Sequence, residues 1–366
     1  MEDIVKWRRD LHRIPEIGLH EYKTAEYIRE ELRKMGYNYF SVMDTDTLVY
    51  IDNGKEDTLA FRSDIDGLKI DERNDIDYKS IHEGYMHACG HDGHMATLLA
   101  FAKRLKNIDS HKSNYLLIFQ PAEEAPGGAK RLVDSGILTK YRVKAIFGMH
   151  LMPFLQEGII STKAGPLMAM CAELDVEITG KSSHAGLPHE GIDSIMIASK
   201  IIEGYQDIIS RKLSPFEDAV IHIGKINGGD ARNIVASHVI MNGTIRVFDE
   251  KTFNFIAKEI YKLHRGMELV YNCAIKESFP PMYPPVINDR TVYNRFIELI
   301  ECVELDEPLM LAEDFSFYQR EVPGLFFYLG TKSDMYSSGL HTESFNFNEN
   351  VLKIALDVYE TIAMNY

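Results

Sequence analysis

The segment MHACGHDGHMA contains a dense group of side chains that can bind metal ions. Its donors are one thiol and three imidazoles, those of Cys89, His87, His91 and His94. A thiolate and an imidazole two residues apart suit a divalent ion, and the neighbouring glycines allow the backbone to turn tightly around it. Spacing alone does not decide between His91 and the other histidines. Asp92 is a candidate for orienting a metal-bound imidazole by accepting its second N–H.

A pair of adjacent carboxylates, Glu123 and Glu124, follows the apolar run YLLIF in the segment QPAEE. At the end of a buried strand their side chains should diverge, so that one can bind a metal ion while the other stays free. A free carboxylate beside an activated water can take its proton and later pass it to a departing amine. The pair therefore indicates hydrolysis of an amide, without showing which glutamate has which role.

Short apolar runs predict the strands that would position these residues. The apolar run 58–62 predicts one strand, and the runs 115–119, 145–149 and 325–329 are typical of strands buried on both faces of a sheet. Ligands of open α/β sheets bind beyond the carboxyl ends of such strands. His150 is expected to end one strand, and His341 lies in the late loop GLHTES. Both gain weight because two metal ions need more ligands than the first two clusters supply.

Helical patterns alternate with these strands, which predicts an α/β fold with a mixed, mostly parallel sheet. Segments 1–172 and 288–366 are expected to form this catalytic domain. Residues 173–287 have the order strand, helix, two strands, helix and strand, with the last strand at 269–276. That order predicts an inserted ferredoxin-like α+β lid domain. A free sheet edge on the inserted domain would allow a homodimer.

Composition excludes several classes of protein. A length of 366 residues favours two domains, and a net charge of -15 repels nucleic-acid phosphates. No apolar run approaches the roughly 20 residues that cross a bilayer, and the N-terminal segment does not have the pattern of a signal peptide. The four cysteines are scattered, as in a reducing compartment. We therefore expect a soluble cytoplasmic enzyme without a nucleic-acid or membrane partner.

A series of motifs carries a family resemblance along nearly the whole chain. In order they are LHRIPEIGLHEYKTA, RSDIDGL, MHACGHDGH, QPAEEAPGGA, GMHL, SSHAGLPHEGID, GGDARNIVA, GTIRVFD, LAEDFSFY and GLHTESF. Together they resemble the metal-dependent amidohydrolase family of metallopeptidases that includes aminoacylases, carboxypeptidases and indole-acetyl-amino-acid hydrolases. The resemblance is to the branch that has a cysteine in its metal site.

This resemblance implies a role for each matching residue. Cys89 would bridge two divalent metal ions whose coordination is completed by His91, Glu124, His150 and His341. Glu123 would be the general base. His184 would polarise the scissile carbonyl, as a residue of its own subunit or, as in dimeric relatives, of the partner's site. Asn233 and Arg246 would bind the substrate, and Asp64 and Asp66 would support the ligands.

The implied activity is cleavage of the amide bond of an N-acyl amino acid, with short N-acetyl substrates expected. N-acetyldiaminopimelate and aryl- or indole-acyl amino acids are alternatives of the same class. The ligand types accept zinc or manganese, and cobalt or nickel as well. Two other mechanisms are open. Cys89 could be the nucleophile of a metal-independent cysteine hydrolase, or the chain could be a non-catalytic module that binds acylated amino acids.

Overall fold

The computed structural model describes residues 2–280 and 283–366, and the chain divides into two compact units. The first unit comprises Met1–Leu167, Val286–Pro308 and Glu313–Tyr366, and the second comprises Met168–Pro285 and Leu309–Ala312. The short return of 309–312 to the second unit differs from the expectation that residues 288–366 belong wholly to the catalytic domain. The backbone N–H of Ala169 explains it, because this group donates to the carbonyls of Leu309 and Leu311, each at 2.9 Å.

The first unit contains a seven-stranded sheet, a separate pair of strands and the helices around them. Its strands are β1 (Thr47–Ile51), β2 (Thr58–Asp64), β3 (Asn114–Gln120), β4 (Val143–Gln156), β5 (Ile160–Thr162), β6 (Gly165–Met168), β11 (Val286–Asn288), β12 (Val303–Glu304) and β13 (Gly324–Lys332). Its helices are α1 (Glu2–His12), α2 (Tyr22–Lys34), α3 (His91–Leu105), α4 (Ala129–Asp134), α5 (Ile137–Lys140), α8 (Arg290–Leu299), α9 (Ser316–Gln319) and α10 (Val351–Asn365).

The sheet has the strand order β1-β3-β2-β4-β13-β5-β12, and β6 pairs separately with β11. Pairing is parallel from β3 through β2 and β4 to β13, and antiparallel at β1 and between β13 and β5. This confirms the predicted mixed, mostly parallel sheet. Strands β2 and β3 lie inside the sheet and are buried along their whole length, which the apolar run 115–119 predicts for β3.

Strand β13 lies between β4 and β5 although those two strands are consecutive in sequence. Gly330 makes this close approach possible, because a Cβ atom at its position would lie 2.0 Å from the carbonyl oxygen of Gln156. Pairing with β13 also extends β4 to Gln156, so His150 lies inside the strand. The prediction that His150 ends its strand is therefore wrong by several residues.

The second unit is built on a four-stranded antiparallel sheet with the order β10-β7-β9-β8. Its elements are β7 (Met170–Thr179), a 3-10 turn (Pro188–Glu190), α6 (Ser194–Asp207), a π-helical turn (Ile208–Lys212), β8 (Ala219–Gly228), β9 (His238–Val247), α7 (Glu250–Tyr271) and β10 (Ala274–Ser278). The succession β7-α6-β8-β9-α7-β10 in this strand order is that of a ferredoxin-like unit. Alternate apolar residues of β7 pack with residues of α6 and α7 in one core.

The last strand of the second unit begins later than the sequence indicates. The predicted strand 269–276 overlaps α7, which continues to Tyr271 and ends where Asn272 adopts a left-handed conformation with φ of 53°. Leu269 and Val270 form its last turn and are exposed, so their apolar character does not mark a buried strand. Among the described residues, no helix is long and apolar enough to cross a membrane.

Candidate active site

Three other predicted ligands lie close to the thiol of Cys89. Its Sγ lies 3.3 Å from Nε2 of His150 and 3.2 Å from Nε2 of His341. Nε2 of His341 in turn lies 3.0 Å from Oε1 of Glu124. His150 comes from β4, Glu124 from the turn after β3, and His341 from the loop before α10. The backbone N–H of His341 donates to the carbonyl of Ala88 at 2.9 Å, which ties this late loop to the cysteine segment.

His91, the fifth predicted ligand, is the first residue of α3. Its Nδ1 donates to the carbonyl oxygen of Asp66 at 2.9 Å, which leaves the lone pair of the neutral ring on Nε2. Nε2 is buried and has no hydrogen-bond partner in the described part of the chain. Donor atoms of Cys89, His91 and His150 lie within 4.8 Å of one another. An unpaired buried nitrogen in such a group fits a metal ion, since buried polar atoms are otherwise almost always satisfied.

Two donor groups share Cys89. One consists of Cys89, His91 and His150, and the other of Cys89, Glu124 and His341. A third group of His91, Glu123 and Glu124 brings the predicted base beside the ligands. The first unit therefore gathers all five predicted ligands and Glu123. Thiolate, imidazole and carboxylate donors together suit zinc and neighbouring divalent metals.

The other two histidines of the cluster are arranged differently. Nδ1 of His94 donates to Oδ1 of Asp64 at 2.7 Å, and its Nε2 accepts from the backbone N–H of Leu151 at 3.0 Å. Both ring nitrogens of His94 are thus engaged within the protein. Nδ1 of His87 donates to the carbonyl of Asp66 at 3.1 Å, and His87 belongs to none of the potential ligand groups among the described residues. These contacts favour His91 over His87 and His94 as a ligand, although His94 also lies in a potential ligand group with Asp64 and His91.

The three aspartates predicted to support the ligands have different contacts. Asp66 holds His91 through its carbonyl, and its Oδ2 accepts from the backbone N–H of Glu124 at 3.0 Å. Asp64 holds His94. Asp92 does not accept from a histidine of its own segment: its Oδ2 lies 2.8 Å from Nδ1 of His12, and among residues 2–280 and 283–366 its Oδ1 has no hydrogen-bond partner.

A buried charge cluster behind Glu123 contains residues that the sequence reasoning missed. The guanidinium of Arg62 contacts three carboxylates, those of Asp64 at 2.8 Å, Glu313 at 3.0 Å and Asp314 at 2.9 Å. Carboxylate oxygens of Glu123, Glu313 and Asp314 lie within 4.8 Å of one another. The motif LAEDFSFY was the available signal, because two acidic residues inside an otherwise apolar segment need a buried partner.

The electrostatics of the site favour the neutral forms of Cys89, Glu123 and His150. His91 differs, because its burial is outweighed by the charges of Asp64 and Asp66, which raise the pKa of this histidine to about 10. Burial, and then the charges of Glu124 and Glu123, raise the pKa of the Cys89 thiol well above its usual range. Burial lowers the pKa of His150 to about 3, so its Nε2 remains a free base. Burial and the charge of Glu313 raise the pKa of Glu123 well above its usual range. Metal binding at this site must therefore displace the thiol proton.

The residues predicted to contact substrate from the second unit lie in two neighbouring segments and one strand. The segment of His184 pairs with that of Asn233, because Ala185 N–H donates to the carbonyl of Asn233 at 3.0 Å. Arg246 lies in β9 opposite Cys171 of β7. His184 and Asn233 are exposed, and Arg246 is partly buried. Their substrate-binding roles stay predictions.

Comparison with known proteins gives the family. The sequence profile of peptidase family M20/M25/M40 matches residues 60–365. An N-acetyldiaminopimelate deacetylase of Bacillus velezensis is 37% identical over 365 residues, which cover 98% of this chain and 96% of the relative.

Two crystal structures are similar over the whole chain. A protein of methicillin-resistant Staphylococcus aureus has a TM-score of 0.93 and 32% identity, covering 100% of this chain and 96% of that one. The Bacillus subtilis YXEP protein, a dinuclear metal-binding peptidase of the M20 family, has a TM-score of 0.86 and 31% identity, covering 99% and 96%. With its Cys/His/Glu donor set, this chain therefore belongs to peptidase family M20/M25/M40 and is a metal-dependent hydrolase.

Proposed function

We propose that this hydrolase uses two divalent metal ions to cleave the amide bond of N-acyl amino acids, with N-acetyl amino acids preferred. The observation that carries the proposal is the pair of donor groups that share Cys89, with Glu123 beside them. Cys89 would bridge, His91 and His150 would complete one position, and Glu124 and His341 the other. When bound, the ions would act as Lewis acids on the substrate carbonyl and lower the pKa of water.

The protein groups supply the remaining chemistry. Glu123 takes the proton of the attacking water and transfers it to the departing nitrogen, which converts the amine into a good leaving group. A base whose pKa lies above the usual range of a carboxyl group suits both steps, since it binds the proton of water more firmly than an ordinary carboxylate does. We assign carbonyl polarisation to His184 and carboxylate binding to Asn233 and Arg246 on their motif positions alone.

The N-acetyl preference rests on the relative from Bacillus velezensis, which is named an N-acetyldiaminopimelate deacetylase. Such a substrate combines a short acyl group with a free carboxylate that a guanidinium can bind with two hydrogen bonds. N-acetyldiaminopimelate and aryl- or indole-acyl amino acids are therefore the alternatives to test beside simple N-acetyl amino acids.

The buried thiol argues against a cysteine nucleophile. Reactive cysteines have lowered pKa values and partial exposure, whereas the pKa of Cys89 is raised by burial and by two carboxylates. A non-catalytic binding role leaves Glu123 without a purpose, because a buried carboxylate in a cluster of others is costly.

A screen for liberated amine tests the proposal. Metal-reconstituted protein is incubated with N-acetyl, N-benzoyl and N-indole-acetyl amino acids and with N-acetyldiaminopimelate. We expect release from at least one N-acetyl substrate and a loss of about two to four orders of magnitude in kcat for Glu123→Gln, with metal retained. Glu124→Gln is the matched variant and should instead lower metal content. Near-normal turnover of Glu123→Gln would refute the assignment of the base.

A further inference from the structure

The turn that carries Glu123 has an unusual backbone at the preceding residue. Ala122 has φ of 56°, in the left-handed region that non-glycine residues rarely adopt. Its carbonyl accepts from the backbone N–H groups of Gly127 and Gly128, each at 3.0 Å. Such a conformation persists only where surrounding contacts enforce it, and it often occurs next to functional residues.

One of these contacts comes from Glu21. Its Oε1 accepts from the backbone N–H of Ala122 at 2.8 Å, and its other oxygen accepts from the hydroxyl of Thr45 at 2.8 Å. Glu21 directly precedes α2, yet its side chain makes no capping hydrogen bond to that helix. The carboxylate is completely buried. Burial and the charge of Asp66 raise the pKa of Glu21 to about 7, so its position is costly for an ionised group.

The backbone is held by hydrogen bonds on both sides of Glu123. Glu21 holds the N–H of Ala122, and the carbonyl of Ala122, which belongs to the peptide group before Glu123, accepts from Gly127 and Gly128. Oδ2 of Asp66 holds the N–H of Glu124, which belongs to the peptide group after Glu123, at 3.0 Å. Together these contacts fix the backbone from which the Glu123 side chain projects.

The segment that precedes Glu21 also packs closely on the same turn. A Cβ atom at Gly18 would lie 2.2 Å from the carbonyl oxygen of Ala125 and 2.9 Å from Cβ of Ala122. Only glycine fits there without displacement of the turn. The close packing at Gly18 and the hydrogen bond from Ala122 to Glu21 fix the position of this segment against the turn that carries Glu123.

From these contacts we infer that Glu21 is a positioning residue for the general base: it holds the backbone at Ala122 so that Glu123 keeps its working orientation. The inference rests on the proposed role of Glu123. What matters for this role is that Glu21 has an accepting oxygen and a side chain long enough to bring it to the N–H of Ala122; the charge of Glu21 is not required.

Variants at Glu21 separate these properties. Glu21→Gln keeps an oxygen that can accept from Ala122, Glu21→Asp keeps the charge but withdraws the oxygen, and Glu21→Ala removes both. We expect Gln to retain most of kcat, and Asp and Ala to lower it by as much as about 100-fold, the scale of a small misplacement of a catalytic group. KM and bound metal should change little.

Glu16→Ala is the matched control. Glu16 lies in the same segment, but its carboxylate accepts from the N–H and hydroxyl of Thr24 at 2.9 and 3.1 Å. This variant should lower thermal stability somewhat and leave kcat nearly unchanged. If Glu21→Ala does not fold, Glu21→Asp carries the comparison with Glu21→Gln.

A double-mutant cycle with Glu123→Gln distinguishes positioning from general destabilisation. If Glu21 acts through Glu123, Glu21→Asp should cause no further loss of kcat in the Glu123→Gln background. An equal loss in both backgrounds, a loss equal to that of Glu16→Ala, or a Gln variant as slow as Asp would overturn the inference alone. Near-normal turnover of Glu123→Gln itself would overturn the proposed function and this inference together.

Discussion

Oδ1 of Asp64 lies 2.7 Å from Nδ1 of His94 and accepts a hydrogen bond from it. Because the other nitrogen of His94 accepts from Leu151, this imidazole is a structural link between β2, α3 and β4. His91, three residues earlier on α3, has instead a buried Nε2 without a hydrogen-bond partner among the described residues. The two histidines of one motif thus have different contacts, which their spacing does not reveal.

Metal analysis of two variants tests this distinction. His91→Ala should lose at least one ion per chain after dialysis, because it removes a donor from the group of Cys89, His91 and His150 and from the group of His91, Glu123 and Glu124. His94→Asn should keep its metal and lose about 1 to 3 kcal/mol of stability, since one buried hydrogen-bonding group is left unpaired. Elemental analysis and thermal unfolding give the two quantities. Full metal content in His91→Ala together with depletion in His94→Asn would reverse the assignment.

Removal of metal should abolish amide hydrolysis while the thiol of Cys89 stays intact. The reason is that Cys89, with its raised pKa, is a poor nucleophile without a cation to stabilise the thiolate. Activity is measured before chelation, after chelation and after zinc or manganese is added, and the thiol is quantified by alkylation of unfolded samples. Hydrolysis that survives chelation but not alkylation of the folded protein would favour a cysteine nucleophile.

Arg62→Met should destabilise the first unit strongly. Arg62 is buried among Asp64, Glu313 and Asp314, and loss of one partner from a buried ion cluster costs about 3 to 5 kcal/mol. Urea unfolding measures the change in free energy. Arg73→Met is the control, because its ion pair with Glu343 is exposed and should contribute little. Equal effects of the two variants would show that the Arg62 cluster is not stabilising.

The contribution of His12 to stability should fall at alkaline pH. Burial and Arg8 oppose protonation, but hydrogen bonds to Asp92 and Glu72 outweigh them and raise the pKa of His12 above its usual value. A raised folded-state pKa gives stability that is complete below the unfolded pKa, about 6.5, and is lost as pH rises through the folded value.

His12→Gln should therefore lower the midpoint of thermal unfolding more at about pH 6 than at about pH 9. The exposed His20 provides the control variant His20→Gln, for which we expect no difference between the two conditions. A deficit of His12→Gln that is the same at both pH values would mean that this histidine acts without its charge.

The order of elements in the first unit follows from the sequence because local patterns encode it. Apolar runs predicted β2 and β3, and the structure confirms both as strands inside the sheet. The end of β4 could not be predicted in this way, since its length depends on pairing with β13 from a distant part of the chain. The start of β10 was misplaced because helix and strand patterns overlap at Leu269 and Val270.

The candidate site was less accessible to sequence reasoning than the fold. Residue types and motif positions indicated the ligands and Glu123, because thiols, imidazoles and paired carboxylates are rarely grouped for packing alone. Arg62 and Glu21 were not found, since their partners are defined only by tertiary contacts with Asp314 and Ala122. Hydrogen-bond networks of this kind leave no periodic signal in the sequence.

The insertion of β13 between β4 and β5 has a consequence for biosynthesis. The ribosome completes β4, β5 and the whole second unit before it synthesises β13. Until then, the edges of β4 and β5 that will pair with β13 are unpaired in the nascent chain. Unpaired edges of apolar strands recruit other chains. Chains interrupted before residue 324 are therefore expected to aggregate, and no stable smaller enzyme should arise by shortening this protein from its C-terminal side.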